Sequence, residues 1–104
     1  MSIFITSTIS VSRKDKLDCV DIAKKMSKAG IITSITENIS TQPELEYGCR
    51  LTQSVTTKNE IINIWKILEK NYNFSCAHLK IDNGFQGCIH DFIRPSLCNG
   101  NNDN

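Results

Sequence analysis

The apolar residues of this chain recur with two periods, one of two and one near three and a half, and the switches between them mark out successive strands and helices. Ile3, Phe4 and Ile5 open a strand ending by Ser10, with apolar residues on both faces as in a central strand. Ser12, with Asp15 three residues on, reads as an N-cap before Cys19, Ile22, Ala23, Met26 and Ala29, which share one helical face, and Gly30 closes that helix. Ile31, Ile35 and Ile39 mark a second strand. Leu45, Tyr47, Cys49 and Leu51 mark a third, with Ser40-Thr41-Gln42-Pro43 as the loop between them. Thr57 and Glu60 form a capping box at the head of a second helix whose buried stripe is Ile61, Ile64, Trp65 and Leu68, with Tyr72 and Phe74 at its far end. Ala77, Leu79 and Ile81 then alternate with Cys76, His78 and Lys80, the pattern of a strand with one buried face.

The order β-α-β-β-α-β predicts an α+β fold, a ferredoxin-like sandwich of a four-stranded antiparallel sheet with two helices on one face. It is followed by one further element. Asp82-Asn83-Gly84 breaks the last strand, and the next segment reads in two ways. Phe85, Ile89, Phe92 and Ile93 lie on one helical face, ended by Arg94-Pro95, which favours a short C-terminal extra helix over 85–93, although Gly87 weakens it. A three-residue loop with Gly84 left-handed would instead make 85–93 the second arm of a hairpin. Residues 1–97 are expected to form one domain and 98–104 a disordered polar tail.

Composition narrows the function classes. No apolar run is long enough to span a membrane and the start lacks the pattern of a signal peptide, so a cytoplasmic protein with no membrane partner is expected. The five cysteines are scattered without a CxxC and read as free thiols in a reducing compartment. A formal net charge of +1 with interleaved acids and bases argues against nucleic acid as a partner. The run Tyr47-Gly48-Cys49-Arg50-Leu51 also puts Cys and Leu where an RNA-recognition sheet needs rings.

Candidate chemistry concentrates in Cys76-x-His78 and Cys88-x-His90. Thiolate and imidazole suit copper and zinc, so these four are the candidate metal ligands. On a hairpin with a three-residue loop, Cys76 faces His90 and His78 faces Cys88, all on one side of the sheet. On a helix Cys88 and His90 diverge, and the four make a loose, partly exposed set. Neither cysteine has an evident oxyanion hole or orienting third residue, so no enzymatic activity is expected. The alternating strand Leu45 to Val55 would be a poor edge to leave in water, and pairing edges about a threefold axis would cover it.

Several segments together resemble the CutA family, small proteins associated with divalent-cation tolerance. IFITSTISV followed by DIAKKMSKAGIITSITENI is similar to that family's first strand, first helix and second strand. ELEYGCRLTQSVTT resembles its third strand running into the second helix, NFSCAHLKI its following strand, and NGFQGCIHDFIRPSL its closing helix. The family's second-strand cysteine is absent, with Ser34 nearby. The resemblance implies a non-enzymatic homotrimer that binds or responds to divalent metal, copper especially. The alternative is a free-standing ferredoxin-like regulatory or protein-interaction domain without metal.

Overall fold

A computed structural model describes residues 3–13, 17–39 and 47–94. The predicted loop at 40–43, the candidate cap partner Asp15 and the tail 98–104 lie outside them. The elements in chain order are β1 (Ile3–Phe4), β2 (Ser7–Arg13), α1 (Cys19–Lys28), β3 (Ser34–Ile39), β4 (Tyr47–Gln53), β5 (Thr56–Thr57), α2 (Lys58–Tyr72), β6 (His78–Ile81), β7 (Gln86–Cys88) and α3 (Ile89–Ile93). Five strands form one antiparallel sheet in the order β3-β4-β2-β6-β7, and β1 pairs separately with β5. Among the described residues no helix is long and apolar enough to cross a membrane.

Alternation along each strand decides what the sheet buries. Ile9, Val11, Cys49, Leu51, Leu79 and Ile81 point to one side and meet Ile22 and Met26 of α1 and Ile61, Ile64, Trp65 and Leu68 of α2. Of these, Ile9, Leu51 and Leu79 stand in a single row across the sheet and are fully buried. Burial of such rows is the main drive to fold, at about 25 cal/mol for each Å² of apolar surface removed from water.

The helix ends show which sequence signals decided their lengths. At α2 the capping box forms as read: Thr57 Oγ1 accepts from the Glu60 amide at 3.3 Å and the Glu60 carboxylate accepts from the Thr57 amide at 2.8 Å. At α1 the expected cap is corrected. Ser12 lies within β2, and Asp18 caps the helix, its carboxylate accepting from the amides of Val20 and Asp21. Paired along its whole length by β4, β2 gains more from that ladder by running on to Arg13 than an early helix start would return. Gly30 ends α1 in a left-handed conformation, φ 76°, and the amides of Gly30 and Ile31 donate back to the carbonyls of Ser27 and Met26.

Two further expectations are overturned. The third strand is no edge: β4 lies between β3 and β2, and the edges are β3 and the three-residue β7. The C-terminal segment divides between both readings, so a helix over all of 85–93 is incorrect. Residues 86–88 pair with β6, with His78 opposite Cys88 and Lys80 opposite Gln86, and the helix begins only at Ile89. The loop is the three-residue one, but the left-handed residue is Asn83, φ 58°, not Gly84. Beyond Cys88 a continued strand would set Phe92 on the same solvent side as Cys88. Coiling at Ile89 instead turns Phe92 inward, where its ring lies 5.6 Å from that of Phe4 and 5.4 Å from that of Phe85.

Candidate functional site on the open sheet face

Every residue that alternates with the buried rows projects from the face the helices leave uncovered. Register places Thr36, Arg50, Ser10, His78 and Cys88 in one row across β3, β4, β2, β6 and β7. A second row, two residues along, runs Ser34, Thr52, Thr8, Lys80 and Gln86. At one end of the first row lies an open groove of about 400 Å³ lined by Ser10, Ser12, Cys76, His78 and Cys88 with backbone neighbours Val11 and Ala77.

Three of the four predicted ligands meet at this groove. Cys76 and Cys88 are joined as a disulfide, their Cα atoms 6.7 Å apart, and His78 stands opposite Cys88 in the ladder, its side chain exposed. The expectation of five free thiols is therefore corrected. A separation of 12 residues looks unremarkable along the chain, but the three-residue loop folds it into a hairpin that brings the two thiols together. His90 is drawn elsewhere by α3. Its Nε2–H donates to the Ser75 carbonyl at 2.9 Å and its ring stands edge-on to Trp65, centroids 5.3 Å apart. Among the described residues no three His, Cys, Asp or Glu side chains converge as a metal-binding group.

Cys19 and Cys49 remain as free thiols, and Cys98 lies outside the described residues. Cys49 points into the core, where burial first, and its hydrogen bond with Cys19 second, push its thiol well above the ordinary range. Cys19, half-buried at the start of α1, has its sulfur 3.7 Å from the Gly48 carbonyl. Iodoacetamide should therefore modify Cys19 in the native protein and, after reduction, Cys76 and Cys88, while Cys49 reacts only on unfolding. Peptide mapping that finds Cys49 alkylated as fast as Cys19 would contradict this placement. Reduction alone should lower stability by at most about 3 kcal/mol, the chain-entropy value for so short a loop.

On the opposite side, the helices are tied by the Tyr72 hydroxyl, which donates to Asp21 at 2.5 Å, while Lys25 pairs with the same carboxylate at 3.0 Å. The Tyr72 hydrogen bond, then Lys25, hold the Asp21 carboxyl below its ordinary range. The depression between α1 and α2 is lined by Asp21, Lys24, Lys25, Lys28 and Asn71, so its charges are already partly compensated.

Sequence reading found the cysteines and His78 but missed Arg50 and Ser10 as their neighbours. The alternation of β4 did mark Arg50 as outward-facing, yet only the strand order brings it beside Ser10. Compared with protein-family models, with curated proteins and with solved structures, the chain matches none.

Proposed function

We propose that this chain is a non-enzymatic, ferredoxin-like domain that assembles as a homotrimer in the manner of the CutA family it resembles, and that it takes a soft metal, copper foremost, at Cys76, Cys88 and His78 when the two thiols are reduced. The strand order β3-β4-β2-β6, set by two βαβ crossovers, supports the ferredoxin-like reading. The observation that carries the metal reading is the meeting of two sulfurs and an imidazole at one groove, with the sulfurs close enough to bond to each other.

The donor set fits a soft ion. Two thiolates with Cu(I) sum to a charge of −1, and the basic Lys80 and Arg50 lie on the same face of the sheet. His90, held by Ser75 and Trp65, has a secondary role at most. Titration of the reduced protein with Cu(I) against a chromogenic chelator is expected to show one ion bound, with binding abolished in the disulfide form and in Cys76→Ser and weakened in His78→Ala. Equal binding by a Cys76→Ser, His78→Ala double variant would rule the site out. Because the apolar core and not the ion holds the fold, chelation should lower the thermal midpoint only by the binding linkage and should not unfold the protein.

Support for self-assembly comes from β3, a six-residue strand that among the described residues pairs on one side alone, with β4, and is an edge. Ile32 just before it is 94% exposed. At the same end of the sheet, the register shared by the β1–β5 and β2–β4 pairs sets exposed Ile5 opposite exposed Val55. Sedimentation at micromolar concentration is expected to give a trimer. A stable monomer would leave a free-standing interaction domain, the reading that the disulfide favours if it persists in the functional protein.

A further inference from the structure

We propose that the open face of the sheet also binds a small phosphate-bearing ligand, held between Arg50, His78 and Lys80 over the hydroxyls of Ser10 and Thr8.

The two cross-strand rows put these groups together. Ser10 has Arg50 on one side and His78 on the other, and Thr8 has Lys80 beside it one pleat away. Neighbouring strands lie about 4.8 Å apart, so Arg50 and His78 flank Ser10 at roughly 10 Å from each other across the sheet. That spacing lets flexible basic side chains close on a phosphoryl group from either side. The side chains of Arg50, His78 and Lys80 are all exposed, and among the described residues none of the three makes a side-chain hydrogen bond or ion pair.

The face is mainly basic, with Asp82 at its end where the β2–β6 register continues to Thr6. The other described carboxylates lie at the Asp18 cap, on α1, α2 and α3, and at Glu37, which faces the helices beside Cys49. In a chain whose acids and bases nearly cancel, Arg50, His78 and Lys80 with the hydroxyls of Ser10 and Thr8, among the described residues interrupted by no acid within these two rows, make a complementary surface for an anion. Phosphoryl oxygens accept from a guanidinium fork and from hydroxyls at once, which carboxylates do less fully.

Size and chemistry exclude the extended alternative. Single-stranded nucleic acid on a sheet of this kind is read by bases stacked on exposed rings. The described rings Phe4, Trp65, Tyr72, Phe74, Phe85 and Phe92 belong to the core or pack against it. The groove of about 400 Å³ beside Ser10 and His78 adjoins this face, with Arg50, Lys80 and Thr8 outside its lining, and suits a group of nucleotide size or smaller.

Calorimetry of the disulfide form of the full chain with inorganic pyrophosphate, adenosine monophosphate and adenosine tests the proposal. Both phosphates are expected to bind and adenosine not to. If inorganic phosphate is the source, pyrophosphate binds the tighter of the two; if a nucleotide is, the monophosphate does. Arg50→Ala and Lys80→Ala should each weaken binding by roughly tenfold or more, the usual loss for one charge-assisted contact. Lys66→Ala, on the exposed side of α2, should change nothing. Amide shifts on titration should centre on Ser10, Arg50 and His78. A Cys76→Ser, Cys88→Ser variant should keep phosphate binding, which separates this site from the metal reading. Absence of binding at millimolar ligand, equal loss in Lys66→Ala, or binding of single-stranded RNA that pyrophosphate does not displace would each overturn it.

Discussion

Trp65→Ala is expected to lower the free energy of unfolding by about 3–5 kcal/mol. Trp65 is 3% exposed and sits on the buried stripe of α2 between Ile61, Ile64 and Leu68. Its ring also backs α3, standing at 89° to the His90 imidazole. Truncation removes the largest side chain of that stripe and leaves a cavity that neighbours on three elements cannot all fill, so the transfer and cavity costs add. With typical domain stabilities of about 5–15 kcal/mol, the variant sits close to the threshold of folding. Trp65→Phe keeps most of the packing and should cost much less. Urea denaturation of both variants checks the pair, and a loss below about 1 kcal/mol in the alanine variant would mean that α3 and the sheet collapse onto the space.

Gln53→Leu is expected to cost about 1–3 kcal/mol although it adds apolar surface to a buried position, because it strands the buried Ser7 hydroxyl, while Thr33 keeps its bond to the Thr52 carbonyl. Gln53 is 2% exposed at the end of β4, and its amide joins two elements. The Ser7 hydroxyl donates to Oε1 at 2.8 Å, and Nε2 donates to the Thr33 hydroxyl at 2.8 Å, which in turn donates to the Thr52 carbonyl. Ser7 is itself fully buried. The test is a double-mutant cycle: Ser7→Ala in the Gln53→Leu background should recover part of the loss, since removing both partners leaves less unsatisfied than removing one. Strict additivity would show that the two side chains act independently.

Local signals survived folding where their energy is local. The Thr57–Glu60 box and the Gly30 stop depend on groups within a few residues, and both formed where the chain placed them. Ser12 failed as a cap for the opposite reason. Its competitor was the ladder with β4, a strand that lies far along the chain and that no local pattern weighs. Ser7 and Gln53 were illegible for a related reason, since a polar residue on a strand's inner face looks like a break in the pattern until its partner is seen across the sheet.

The amino-acid sequence by itself determined the two longer helices with their buried stripes and the alternation that separates Leu79 and Ile81 from His78 and Lys80, because periodicity records which side of an element must leave water. Only the tertiary structure decided that β4 is central, that the segment after Asn83 is hairpin up to Cys88 and helix from Ile89, that Cys76 bonds Cys88 while His90 turns to Trp65, and that Arg50 stands beside Ser10. Each of these depends on pairing between distant strands, and the free energy that selects one pairing is the burial of all the rows together, which no single segment contains.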